Sequence, residues 1–166
     1  MKQKLLRYGF LLAALLLLCM IFRRAVPARR AYFQLYDREN KVVILELPVQ
    51  PGDQLRLEIE HSFEHIPWFE YYTITDDNAF RLDAIAVAGY GAGIPAEMDV
   101  PTRIEDGLIW MENINSHFDE LKWLTSSKYM KELTLNGNVI FDFRTLPAAS
   151  LIRASIITKK EVLTRG

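Results

Sequence analysis

The chain has 166 residues, a length expected of one domain, with 20 Lys and Arg against 21 Asp and Glu and a formal charge of −1. That balance hides a division. The first thirty residues contain no acid but carry Lys2, Lys4, Arg7, Arg23, Arg24, Arg29 and Arg30, so the rest of the chain holds 13 basic and 21 acidic residues and stands at −8. An acidic domain argues against nucleic acid, where affinity rests on neutralising phosphates, and the basic arm suits anionic lipid head groups.

Between the N-terminal charges lies the uninterrupted apolar run Tyr8 to Phe22. Fifteen helical residues reach about 22 Å against a hydrocarbon core of about 30 Å. Adding Leu5 and Leu6, with Arg7 snorkelling, brings residues 5–22 close to a full span. A cleaved signal peptide is the competing reading. Arg23 and Arg24 directly after the run, and the indifferent Val26-Pro27-Ala28, favour an uncleaved anchor. Leu18 before Cys19 argues against lipidation. Flanking positive charges nearly cancel, but a seven-residue tail before the apolar run places the bulk of the chain outside. The expectation is a single pass through the inner or cytoplasmic membrane, residues 1–30 forming anchor and linker and residues 31–166 an extracytoplasmic β-domain. That domain has no cysteine and requires no disulfides.

From Ala31 onward the pattern predicts strand after strand. Tyr32–Tyr36 and Val42–Val49 flank the turn-forming Asp37-Arg38-Glu39-Asn40. After Pro51-Gly52-Asp53, residues Gln54–Ser62 alternate, with Leu55, Leu57 and Ile59 on one face and Arg56, Glu58 and Glu60 on the other. Phe69–Thr75 and Phe80–Tyr90 follow, the latter closed by Gly89-Tyr90-Gly91-Ala92-Gly93. Gly107–Glu112 reads as a strand and Ser116–Thr125 as a short helix capped by Ser116. Asn136-Gly137 between apolar runs is a strong hairpin signal, and Leu151–Lys159 makes a last strand. The whole reads as all-β, an antiparallel sandwich or small barrel preceded by one transmembrane helix.

The stretch HSFEHIPWFE, residues 61–70, gathers two of the three histidines with two carboxylates, a serine and a tryptophan. Alternation puts His61 and Glu70 on the inward face. A register pairing Ile59 with Tyr72 and Leu57 with Ile74 would set them opposite each other, within hydrogen-bonding or water-bridging reach. If three successive strands form a meander, the glycine-rich turn at 89–93 shares one sheet end with the histidine loop. Trp68 is the aromatic singled out for contact with a ligand or partner; Tyr71, Tyr72, Trp110 and Trp123 read as sheet packing and His117 as surface. The glycines lack the helix and Lys-Ser/Thr of a phosphate loop, which excludes nucleotide binding.

His61-Ser62, Pro67, Trp68, Glu70 and Gly91-Ala92-Gly93-Ile94-Pro95 together resemble the motif of a bacterial family known as domain of unknown function 1850, most clearly over residues 45–100. The resemblance implies small membrane-anchored proteins associated with TAXI-type TRAP transporters, with no established chemistry. Three readings of the site stand. It is a polar pair fixing strand register; or a pocket in which His61, Ser62, Trp68, Glu70, Tyr90, Gly91 and Gly93 read a small polar or anionic solute; or a hydrolase or metal site using His61 and Glu70. Adjacent strand residues face opposite ways, so Ser62 and His61 do not meet without a bulge, and His61, His65 and Glu70 lack a fourth metal ligand. The expected function is an accessory or small-ligand-binding module of a TRAP-type uptake system, in contact with its membrane or solute-receptor subunit, with no cofactor; a purely structural envelope subunit is the remaining alternative.

Overall fold

The computed structural model describes residues 29–91, 93, 98–147 and 149–160. The expected anchor at 5–22 and its linker, as well as Ala92 and residues 94–97 of the glycine-rich turn, lie outside the described residues. Among those described, no helix is long and apolar enough to cross a membrane. Ala31–Thr158 form one contact unit; Met1–Arg30 and Lys159–Gly166 form a second, of which only Arg29, Arg30, Lys159 and Lys160 are described.

The described chain is all-β. In order come β1 (Arg29–Asp37), β2 (Val42–Val49), β3 (Gln54–Glu60), β4 (Pro67–Ile74), β5 (Phe80–Val87), β6 (Thr102–Glu105), β7 (Leu108–Phe118), β8 (Glu120–Leu124), β9 (Met130–Leu135), β10 (Asn138–Asp142) and β11 (Leu151–Lys160), with a 3₁₀ turn at Phe143–Thr145. They form a four-stranded sheet, β2-β1-β11-β8, and a seven-stranded sheet, β10-β9-β3-β4-β5-β7-β6. One core joins the inner faces. Phe33 and Leu35 of β1, Leu121 of β8 and Ile152 and Ala154 of β11 pack in the same cluster as Leu55, Leu57, Ile74, Phe80 and Leu133. Phe33 meets Phe80 edge-on at 6.4 Å across the layers. The expected all-β class and antiparallel sheets are thus observed, with one cluster of buried residues shared by both sheets.

Local chemistry explains the turns. Asp37 is buried because its carboxylate caps the β1–β2 turn, accepting from the amides of Glu39 and Asn40 and from the Asn40 side chain. The β9–β10 hairpin turns on Asn136 (φ 50°) and Gly137 (φ 79°), the left-handed pair of a type I′ turn.

Three expectations need correction. Ser116–Thr125 is not a helix: it is the end of β7 followed by β8, because β7 pairs with β5 as far as Phe80↔Phe118 and β8 pairs with β11. The amphipathic spacing there is outweighed by sheet hydrogen bonds on both strands. The edge strand β6, exposed at every position, carried no apolar alternation to find. The third correction is register. β3 and β4 pair Leu55↔Tyr72, Leu57↔Glu70, Ile59↔Trp68 and Glu60↔Pro67, four residues away from the expected alignment. An even shift keeps every side chain on its expected face. It moves the partners, not the faces.

Of the register irregularities in the large sheet, at β9–β10, β3–β9, β4–β5 and β5–β7, the last two shape its outward face. Asp83 is the extra residue where β4 pairs Tyr71↔Ala84 and Tyr72↔Leu82. β7 carries its own irregularity opposite Leu82 and Ala84, with Asn113 (φ 57°) and Asn115 (φ 53°) in the left-handed region that Asn tolerates.

Two substitutions test this account by chemical denaturation. Gly137→Ala meets no steric neighbour, so its expected cost is conformational, about 1–2 kcal/mol. Leu57→Ala, at a position 2% exposed, is expected to cost about 2–5 kcal/mol.

Candidate functional site

The histidine loop is closed on itself. The His61 amide donates to the Ile66 carbonyl at 2.8 Å, and the His65 amide donates to the His61 carbonyl at 2.9 Å. The Glu64 amide donates to His61 Nδ1 at 3.2 Å, which leaves the neutral ring's proton on Nε2. The imidazole stacks on Trp68, with centroids 6.0 Å apart and planes 12° from parallel. At the loop's base Glu60 is paired with Lys131 at 3.1 Å and His65 at 3.2 Å; the Lys131 hydrogen bond, then that of His65, lowers its carboxyl pKa.

The glycine-rich turn does lie against this loop. The Ala88 amide donates to the Pro67 carbonyl at 3.1 Å, and a Cβ on Gly91 would overlap the Glu64 side chain. A Cβ on Gly89 would sit 3.4 Å from Ile66 Cδ1. Gly93, at φ 80°, takes the left-handed conformation that glycine adopts without strain. The structure thus brings together His61, Trp68 and Gly91 through Glu64, while Ser62 is exposed and Tyr90 is 58% exposed. Phe63, at the loop tip, is 74% exposed.

Glu70 does not join them. With Leu57 as its cross-strand partner, it lies several residues down the strand from His61, on the order of 10 Å. It faces inward as its alternation requires, but its partner is Tyr72, whose Oη donates to Glu70 Oε2 at 2.6 Å. The expected His61–Glu70 pair is therefore replaced by a Tyr72–Glu70 pair, because the His61–Ile66 closure shortens the loop and slides β4 along β3. Burial, then the neighbouring Glu70 charge, pushes the Tyr72 phenol up. Among the described residues no group of three or more His, Cys, Asp or Glu is arranged to hold a metal ion. His117 lies on the surface, within 3.7 Å of Asp77 and 3.5 Å of Asp119.

A second feature lies on the opposite, outward face of the large sheet. A cavity of about 400 Å³ opens between Arg56 of β3, Tyr71 of β4, Asp83 and Ala84 of β5, Trp110 of β7 and Thr134 of β9. Tyr71 and Trp110 form one wall, with ring centroids 5.2 Å apart. The bulge turns Asp83 outward beside the small Ala84, and Asp83 is already occupied by Thr73 Oγ1 and Arg81 Nε. From the sequence, Tyr71 and Trp110 read as packing, and Arg56 only as a residue on the face of β3 opposite Leu55 and Leu57. The only local sign was that Arg56 and Tyr71 fall on the polar, outward positions of their strands.

Residues 55–141, more than half of the chain, match the model of the family described as Domain of unknown function (DUF1850). The chain belongs to this family. The matched region of the DUF1850 chain covers nearly all of the seven-stranded sheet, including both the histidine loop and the outward cavity, and excludes β1, β2 and β11 of the smaller sheet. No curated protein and no solved structure matches it.

The Tyr72–Glu70 pair has a measurable signature. Folding favours the neutral phenol, so stability is full below the ordinary phenol pKa of 10.0 and declines as pH rises beyond it. Tyr72→Phe is expected to cost about 1–3 kcal/mol at neutral pH, by leaving Glu70 without its donor, and to flatten that alkaline decline in melts recorded across the range. An unchanged alkaline limb in the variant would remove Tyr72 as its source.

Proposed function

We propose that this DUF1850 chain is a non-catalytic accessory module of the cell envelope, held in the membrane by residues 5–22 with its β-domain on the extracytoplasmic side. It works with a TRAP-type solute uptake system by docking through the end of the large sheet that carries the histidine loop. The observation that carries this reading is the exposure of Phe63 and Tyr90, 74% and 58%, on two segments braced against each other. Large aromatics displayed on a pre-closed loop lose little conformational freedom on binding and serve as anchors for a protein partner. Hydrolysis is disfavoured by the same geometry: His61 Nδ1 is engaged by a backbone amide, Ser62 is exposed with no hydrogen bond to the ring, and the acid expected to orient His61 belongs to Tyr72 instead. The basic-flanked apolar run supports the anchor, and the motif's resemblance supports the transporter context.

Two measurements test it. Externally added protease should cleave the β-domain on spheroplasts, and protection would reverse the topology. A photo-crosslinking residue at position 63 or 90, in the full chain co-expressed with TRAP membrane and receptor subunits, should capture one of those subunits. The same residue at the exposed Val139 of β10 (57%) should not. Equal capture from position 139, or none from 63 and 90, would remove the docking end.

A further inference from the structure

We propose that the outward cavity of the seven-stranded sheet is a binding site for a small organic monocarboxylate with a flat apolar body, held between Arg56, Tyr71 and Trp110. The site is independent of the docking end, and either proposal stands if the other fails.

The volume, about 400 Å³, falls within the roughly 300–1,000 Å³ of small-molecule sites. Its polar groups are mismatched in one direction. Arg56 Nε and Trp110 Nε1 are both buried N–H donors with no acceptor among the described residues. Buried donors left unpaired are destabilising, so what these two groups lack is an acceptor. Arg56 is held in place without being used up. Its Nη2 pairs with Glu58 at 3.3 Å, its guanidinium lies 5.4 Å from the centre of the Phe69 ring and a hydrogen bond joins it to Tyr71, which leaves the Nε–H without a partner. An N–H of a charged guanidinium donates a strong, charge-assisted hydrogen bond to a carboxylate oxygen.

Charge bookkeeping limits the ligand to one negative charge. Arg81 is committed to Asp83, and Arg103 to Glu112 and Glu105 while lying over the Trp110 ring at 4.9 Å. Arg56 is the cation that borders the cavity, its charge shared with Glu58 at 3.3 Å, and the Asp83 carboxylate on the wall disfavours a doubly charged phosphate. The Tyr71–Trp110 wall, with Ala84 as a small floor residue between them, suits a planar or short aliphatic body stacked on the rings. The Tyr71 phenol is kept neutral, its pKa raised by burial, and adds a further donor at the same wall.

The test is calorimetric titration of the full chain in detergent with benzoate and phenylacetate, with benzyl alcohol and inorganic phosphate as controls. The carboxylates are expected to bind saturably at one site, and the controls are not. Arg56→Gln should weaken benzoate by about tenfold to a hundredfold, as expected for loss of a charged hydrogen-bonding partner. Trp110→Phe keeps a ring but loses the donor and should weaken benzoate to a smaller degree. Leu124→Ser, at a 66% exposed position of β8 in the smaller sheet, should leave binding unchanged. If Arg56→Gln fails to fold, the indole N–H resonance of Trp110, identified by its absence in Trp110→Phe, provides the second readout: benzoate should shift it and benzyl alcohol should not. Absence of saturable carboxylate binding, equal binding of benzyl alcohol, or an indole resonance indifferent to benzoate would each overturn the proposal and leave Arg56 a purely structural residue.

Discussion

The pairing of β3 with β4 is the constraint from which the rest of the large sheet follows. These two strands lie at its centre, and the backbone bond from His61 to Ile66 closes their connection. Pro67 then opens β4 where its missing N–H costs nothing, while its carbonyl still accepts from Ala88. With that end clamped, every later position is determined. Tyr72 stands opposite Leu55 in the core, Glu70 opposite Leu57, and Tyr71 opposite Arg56 on the outward face. A slip of one residue would exchange the two faces and bury Arg56 and Glu58. The histidine loop therefore acts first as a register device, and any contact role is built on that.

The bulges then turn a regular sheet into one with a cavity. Without Asp83, the strand would alternate Leu82 inward and its successor outward, and the outward face at Tyr71 would be flush. The extra residue places an acid and an alanine side by side on one face, and the small side chain leaves a floor between Tyr71 and Trp110. The left-handed asparagines of β7 locally re-aim the strand that carries Trp110. Bulges near sites are commonly such re-aiming devices, and here both lie on strands that border the cavity.

Alternation made the strands legible and with them the inward positions. Leu55, Leu57, Tyr72 and Ile74 are buried as their period-two pattern requires, and Asn136-Gly137 forms the hairpin its chemistry demands. Meander logic also located the glycine turn beside the histidine loop, since that needs only chain direction. What was not legible is non-local. The register depends on how tightly a six-residue loop closes, and nothing in the letters HSFEHI distinguishes a closed loop from a longer strand. Leu121 and Leu124 fit a helical face as well as a strand, and only the pairing of β8 with β11 decides between them. The outward cavity draws one residue each from several strands, so no window of sequence contains it.

Buried polarity separates the two faces of this sheet by a single criterion. On the inward face Glu70 accepts from Tyr72, and at the end of β1 in the smaller sheet Asp37 accepts three hydrogen bonds. Such groups stabilise one register over its alternatives and need nothing further. On the outward face, Arg56 Nε and Trp110 Nε1 are buried donors without acceptors among the described residues. The neighbouring acids are instead committed to other cations, Asp83 to Arg81 and Glu112 to Arg103. Trp68 on the loop end also retains an unpaired buried atom, and Arg153 with Ser155 does so beside a separate, more open cavity of about 550 Å³ that lacks the paired Tyr71–Trp110 wall. The combination of unspent donors, an aromatic wall and a formed volume occurs at Arg56, Tyr71 and Trp110, and this is what distinguishes a face built to receive something from one that only holds the fold.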